Sequence, residues 1–131
     1  MKFILMMNAP GGAQDYQISS WSPDDFKAHM AFMGRLNKEL KDEGVLVGLE
    51  GLAPPPQARI VRAGANGKPE VTDGPFAESK EFLAGYWIVD VESAEQAYAI
   101  AARASAAPGP GGKPLNMPIE VRQVMSGLPE S

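Results

Sequence analysis

The sequence has no cysteine, a single histidine and no long apolar run. Without cysteine the chain cannot form disulfides, use a thiolate nucleophile or bind zinc through sulfur. A cysteine-free chain suits a reducing compartment, so we expect a cytoplasmic protein. Residues 3–7 are apolar but the run ends at Asn8, and no stretch approaches the roughly 20 apolar residues of a membrane span. We therefore expect neither a signal peptide nor a membrane partner.

Several common site motifs are also missing. No G-x-G-x-x-G opens a helix, and neither a phosphate-binding P-loop nor a nucleophile elbow is present. One histidine and scattered carboxylates do not specify a metal site. We therefore predict no cofactor and no metal. Composition leaves serine–histidine–aspartate catalysis open, although nothing in the sequence orders such a triad.

Positive charge is scarce. The chain carries 12 basic and 16 acidic residues, for a net charge of −4, and the basic residues form no cluster. A protein that binds nucleic acid needs a basic face to neutralise phosphates. Nucleic acid is therefore not expected as a partner.

The 131 residues suit one domain, with a core over about residues 1–125 and a short C-terminal tail. Hydrophobic patterning predicts strands over 3–7, 45–49, 58–62, 70–72, 85–91 and 119–124. Ser22-Pro23 starts a helix that carries Phe26, Met30, Met33, Leu36 and Leu40 at helical spacing and stops before Gly44. Ser93 and Gln96 form a capping box that starts a second helix towards Ser105.

The predicted fold is α+β and ferredoxin-like. Removing the short hairpin around residues 64–67 leaves the order βαββαβ, in which the first and third core strands lie at the centre of an antiparallel sheet. Both of these strands are apolar on both faces, yet two helices can cover only one face. The uncovered face is expected to pair with a second copy as a homodimer, closing into a dimeric α/β barrel. The alternative is a monomer whose open sheet holds a ligand groove.

The densest polar segment spans residues 71–81. Asp73 precedes Gly74-Pro75, where its carboxylate can accept hydrogen bonds from turn N–H groups, or serve as acid, base or anchor at the edge of a cleft. His29 lies at the border of the buried stripe of the first helix, either as a packed side chain or as a catalyst. If Asp73 or Glu50 met it, the carboxylate would fix its tautomer. Glu120 and Arg122 are two residues apart on a strand and share one face. They could line a polar cavity, form an ion pair across a dimer, or lie in solvent at the edge of the sheet.

The sequence reads Asp73-Gly74-Pro75-Phe76 and continues with Glu78-Ser79-Lys80-Glu81. Elsewhere it contains Glu50-Gly51-Leu52, Thr72, Gly85-Tyr86 and Ile119-Glu120-Val121-Arg122. Together these motifs resemble the DGPF branch of the YCII-related family, over residues 1 to about 124. The resemblance implies a ferredoxin-like fold of the dimeric α/β-barrel group, and no established activity. Some relatives accompany or are fused to sigma-factor-like regulators, and some similar proteins are enzymes.

In the smaller members of that family a histidine–aspartate pair in a cleft has been proposed as a site. The resemblance assigns the motif aspartate to Asp73, and His29 lies on the first helix as that histidine does. Aligned on Glu43-Gly44, His29 stands about one helical turn earlier.

These observations predict a homodimeric small-molecule-binding protein with a cleft beside the Asp73 loop, and they leave open whether it is an acid–base enzyme. Asp73 is the predicted anchor or base and His29 the proton carrier. The predicted substrate contacts are Glu50, Phe76, Tyr86, Trp87 and Arg122, with Arg122 meeting an anionic group. The alternative is a non-catalytic regulatory or protein-interaction module in which the Asp73 segment is purely structural.

Overall fold

A computed structural model describes residues 1–10, 20–76 and 81–125. The strands and helices are β1 (Lys2–Pro10), α1 (Pro23–Asp42), β2 (Leu46–Gly51), β3 (Arg59–Ala63), β4 (Pro69–Asp73), β5 (Glu81–Asp90), α2 (Ala94–Ser105) and β6 (Ile119–Gln123). Within these ranges no helix is long and apolar enough to cross a membrane. The chain is therefore a mixed α+β structure with two described helices.

Four strands form one antiparallel sheet in the order β2-β5-β1-β6. This order is consistent with a ferredoxin-like fold and confirms that the first and third core strands, β1 and β5, lie at its centre. Both are longer than predicted. Residues 8–10 of β1 pair with residues 81–83 of β5, so each strand stabilises the extension of the other despite its polar or turn-forming residues.

The helix boundaries follow the predicted capping signals. The Ser22 hydroxyl accepts from the Asp25 N–H at 3.1 Å, and Pro23 occupies the first turn of α1. At the other end, Gly44 adopts a φ of 75°, and the N–H of Val45 bonds the carbonyl of Leu40 at 3.2 Å. That left-handed residue closes the last turn and redirects the chain into β2. Helix α2 begins in the same way, with Ser93 capping the N–H of Gln96.

The core lies between the helices and one face of the sheet. Both central strands bury their side chains there, and α2 contributes mainly alanines, which let it approach the sheet closely. The buried residues are Phe3, Leu5, Met33, Leu36, Leu40, Trp87, Val89, Val91, Ala97, Ile100, Ala101, Ala104 and Ala107. Arg103 of α2 also pairs with Glu39 of α1 at 2.6 Å, which joins the outer surfaces of the two helices.

The apolar stripe predicted for α1 is wrong at its first two positions. Phe26 and Met30 are exposed, whereas His29, Met33, Leu36 and Leu40 are buried. At about 100° per residue those four side chains centre on one direction, from which Phe26 lies about 50° away and Met30 about 90° away. The helix therefore turns His29, rather than Phe26, towards the sheet.

The opposite face of the sheet is apolar at its centre. Register pairs Ile4 with Ile88 and Met6 with Tyr86 on this side, and all four side chains are half-buried. Exposed charged residues flank them, with Glu50 on β2 and Glu120 and Arg122 on β6. We call this surface the open face. Neither described helix covers it.

Strands β3 and β4 form a separate two-stranded hairpin. Asn66 and Gly67 at its tip adopt positive φ angles, as the predicted turn requires. Among the described residues, the hydrogen bonds made by residues 59–74 all remain within residues 56–74. No described hydrogen bond therefore joins the hairpin to the main sheet.

Candidate functional site

His29 is buried against the segment of residues 106–118 that connects α2 to β6, which we call the connector. Only 5% of its surface is exposed, and its Nδ1 lies 3.0 Å from the carbonyl oxygen of Pro108. A carbonyl oxygen only accepts hydrogen bonds, so Nδ1 carries the hydrogen and donates it. In the neutral ring the other nitrogen, Nε2, is then left as an acceptor.

Two further contacts hold this arrangement in place. The rings of Trp21 and His29 form a T-shaped contact, with ring centroids 5.3 Å apart and planes at 85°. The N–H of Gly111 donates to the Asp25 carboxylate at 3.2 Å, which ties the connector to the first turn of α1. The imidazole is therefore positioned from both the helix and the connector.

A cavity of about 260 Å³ lies beside His29, between α1, the end of β2 and the middle of β5. Its wall is mostly apolar, with three methionines, two leucines and the Trp87 ring. The lining residues are Met7, His29, Met30, Met33, Asn37, Leu49, Glu50, Gly51, Leu52, Ala84, Gly85, Tyr86 and Trp87. An apolar wall with a few polar groups is the usual composition of a small-molecule site.

The cavity exists because two paired residues have no side chains. Gly51 pairs with Gly85, and Gly85 also pairs with Met7, which places both glycines on the helix-facing side of the sheet. A Cβ added at Gly51 would meet no heavy atom within 4 Å, because that position opens into free space. At Gly85 a Cβ would lie 2.9 Å from the Glu50 carbonyl oxygen, so the close approach of β2 requires glycine there.

The polar groups of the wall differ in whether they already have hydrogen-bond partners. The Trp87 Nε1–H donates to the Asn37 side-chain oxygen at 2.8 Å, which fixes the indole ring in the wall. Among the described residues, every fully buried side-chain nitrogen or oxygen has a partner, and the structure gives His29 a partner only at Nδ1. No described group pairs with Nε2, and His29 lines this cavity. Glu50 also borders the cavity, but its side chain lies on the open face.

Four of the residues predicted from the sequence meet at this cavity: His29, Glu50, Tyr86 and Trp87. Trp87 is on the helix-facing side, and Tyr86 is paired across the open face with Glu50. The pairing of His29 with Asp73 or Glu50 remains a prediction. The described hydrogen bond of the ring instead runs from Nδ1–H to the main-chain carbonyl of Pro108.

The structure places the other three predicted residues away from the lining of this cavity. Asp73 ends the hairpin, with 95% of its side-chain surface exposed and the Arg59 Nε 3.7 Å away. No described turn N–H donates to its carboxylate. Phe76 is 67% exposed, and Arg122 lies on the open face opposite Ile4. The motif residues Glu78, Ser79 and Lys80 lie outside the described residues.

A larger cavity of about 480 Å³ lies beside the start of β6. Its polar groups are Asn8, Asn116 and the carboxylates of Glu81 and Glu120, and it is otherwise lined by Leu115, Met117, Pro118 and Ile119. Both carboxylates are exposed to solvent, so neither is preorganised for a ligand. Among the described residues no three His, Asp or Glu side chains gather closely enough to hold a metal ion. The His29 cavity is the better organised of the two.

Sequence reasoning missed the groups that position the site. Pro108 acts through a main-chain carbonyl, which leaves no trace in residue type. The Gly51–Gly85 pair becomes informative only when the strand register is known. Asn37 on the first helix and Trp87 on a strand gave the one usable signal, since a buried indole N–H needs an acceptor.

The chain is similar to known proteins over most of its length. A family model described as the YCII-related domain matches residues 1–110. A protein of Rhizobium meliloti (strain 1021), whose description calls it uncharacterized, is 33% identical over 79 residues. That alignment covers 60% of this chain and 63% of the relative, so the chain spans less than two thirds of the relative's length.

Proposed function

The chain belongs to the YCII-related family, and from that premise we propose that it binds a small molecule in the cavity beside His29. The observation that carries the proposal is the burial and hydrogen bonding of the His29 imidazole. The imidazole is buried, the Pro108 carbonyl sets its tautomer, and His29 lines a cavity with apolar walls. Burying a polar ring at such a place is costly unless both nitrogens find partners, and a ligand supplies the second one.

The geometry suits acid–base chemistry on the bound molecule. A ligand O–H or acidic C–H that faces His29 can pass its proton to Nε2, and the imidazolium that forms retains its Nδ1–H bond to Pro108. The ring would then return the proton to another atom of the same ligand. In this proposal His29 is the proton carrier and Trp87 forms a wall, whereas Glu50 and Tyr86 stay predicted contacts of a cleft on the open face.

We propose in addition that a second copy of the chain covers the open face, so that the two sheets close a dimeric α/β barrel. Support comes from the apolar centre formed by Ile4, Met6, Tyr86 and Ile88, for which the chain provides no described helix. Closed two-fold dimers are the commonest oligomers. The exposed Asp73, Phe76 and Arg122 stay predicted site residues of a cleft that only this second copy would complete.

The binding proposal is tested by filling the cavity. Gly51→Val adds a side chain where no atom lies within 4 Å and where φ is not positive, so the fold is expected to persist. Binding is measured by NMR during a screen of small molecules. His29 is the only histidine, so its ring signals are unambiguous. We expect ligands to shift these signals in the wild type and to bind Gly51→Val at least about tenfold more weakly.

Gly34→Ala serves as the matched control. It also adds a side chain at a glycine with no atom within 4 Å, but on the exposed side of α1. It should bind as the wild type does. If no compound moves the His29 signals, or if Gly51→Val binds every ligand unchanged, the binding proposal fails. The non-catalytic interaction module then becomes the better account.

A further inference from the structure

We propose that the ligand of the His29 cavity is a small, uncharged, hydroxyl-bearing molecule with an apolar and preferably aromatic body, of the phenol type. This inference rests on the proposed function, because it names the chemical class that the same site would accept. It is carried by three properties of the wall: its charge, the direction of its hydrogen bonds, and its size and softness.

The charge of the wall disfavours an anion. None of the described residues lining the cavity is a lysine or arginine, and the side chain of Glu50, the one charged residue among them, lies on the open face. A carboxylate or phosphate that entered would lose its hydration without gaining a cation. Glu50 is exposed and well solvated, so its attraction for a cation is weak as well.

The direction of the hydrogen bonds favours a hydroxyl. His29 Nε2 accepts, so a ligand that meets it must bring a donor. The Asn37 oxygen is already occupied by the Trp87 indole, which leaves the Asn37 amide nitrogen as a donor for a lone pair. A hydroxyl group donates one hydrogen and accepts with its oxygen, and it therefore satisfies both kinds of group. An ether or a hydrocarbon would leave Nε2 unpaired.

The size and composition of the cavity favour an aromatic body. At the packing density of a protein interior, about 0.74, a space of this volume holds roughly a dozen non-hydrogen atoms. Met7, Met30 and Met33 contribute polarisable thioethers, which make favourable contacts with aromatic rings and adapt to their shape. Trp87, held by Asn37, supplies a fixed ring surface for stacking.

Four probes with the same two-ring body test the inference: 2-naphthol, 2-methoxynaphthalene, 2-naphthoate and 2-naphthylmethylammonium. Each is titrated into the wild-type protein at neutral pH while the His29 ring and methionine methyl signals are followed by NMR. We expect 2-naphthol to bind and to shift the His29 ring. The methyl ether, which cannot donate, should bind about tenfold more weakly, and the two charged probes more weakly still.

Each other outcome counts against the inference in a distinguishable way. If the carboxylate, the ammonium or the ether binds as tightly as 2-naphthol and moves the His29 signals, the ligand class is wrong while the binding site stands. If none of the four binds but other compounds from the screen do so and are blocked by Gly51→Val, the class is again wrong and the proposed function survives. If nothing binds at all, both fail.

Discussion

Gly34 in the first helix and Gly44 just after it differ in backbone conformation. Gly34 lies in the exposed middle of α1 with open space around it, so its missing side chain only costs conformational freedom. Gly44 lies two residues beyond the end of α1 at a φ of 75°, where any other residue is strained. The same substitution should therefore have opposite effects at the two positions.

We expect Gly34→Ala to raise the free energy of unfolding by about 0.5–1 kcal/mol, because alanine has the higher helix propensity. Gly44→Ala should lower it by about 1–2 kcal/mol, because the left-handed conformation disfavours a Cβ. Urea denaturation followed by circular dichroism measures both values. Equal shifts in the same direction would show that the end of α1 is not closed as described.

Some features of the site could be predicted from the sequence and others could not. The burial of His29 could be approached from helical periodicity, since it borders the apolar stripe. Its partner could not, because Pro108 offers a carbonyl oxygen that every residue type possesses. The cavity itself depends on Gly51 opposing Gly85, which is a matter of register rather than of local pattern.

At the scale of whole elements, most of the fold could be predicted. Capping residues gave the starts of both helices, and apolar runs gave the two central strands, because these signals are local. The ends of β1 and β5 could not be predicted, since residues 8–10 are held in a strand only by pairing with residues 81–83. The buried stripe of α1 differs from the predicted one because tertiary packing sets which side of a helix faces the sheet.

The hairpin and the main sheet are expected to tolerate the same chemical change differently. Val61 pairs with Val71 on the hairpin, where both are more than half exposed, whereas Val89 on β5 is fully buried. Val89→Thr places a hydroxyl in the core and should cost about 1–3 kcal/mol of unfolding free energy. Val61→Thr should change it by less than about 0.5 kcal/mol.

Thermal and chemical denaturation of the two valine variants compare these effects directly. A large loss for Val61→Thr would contradict the description of the hairpin as an exposed element. It would point instead to a surface that covers the hairpin in solution.

At the scale of the whole molecule, we expect the open face to determine the oligomeric state of the chain. It combines an apolar centre with flanking charges, an arrangement typical of an interface. We expect the wild type to sediment with twice the 14.0 kDa mass of the chain. Ile88→Lys should halve the measured mass, because a charge at the centre of two facing sheets would be buried without a partner.

Tyr98→Lys is the control for this experiment, since Tyr98 is an exposed apolar residue on α2, away from the open face. It should leave the mass unchanged, and circular dichroism should show both variants folded. A wild type that remains monomeric at high concentration, or a dimer that persists in Ile88→Lys, would argue against closure through this face.

The glycine pair beside His29 has a consequence for how the family could diversify. Glycine codons convert to alanine or valine by one nucleotide change, and Gly51 accepts an added carbon without displacing any atom. Gly85 cannot change in this way, because β2 passes too close to it. One member of the pair thus preserves the architecture while the other is free to vary, so descendants could adjust the size of the molecule they accept in single mutational steps.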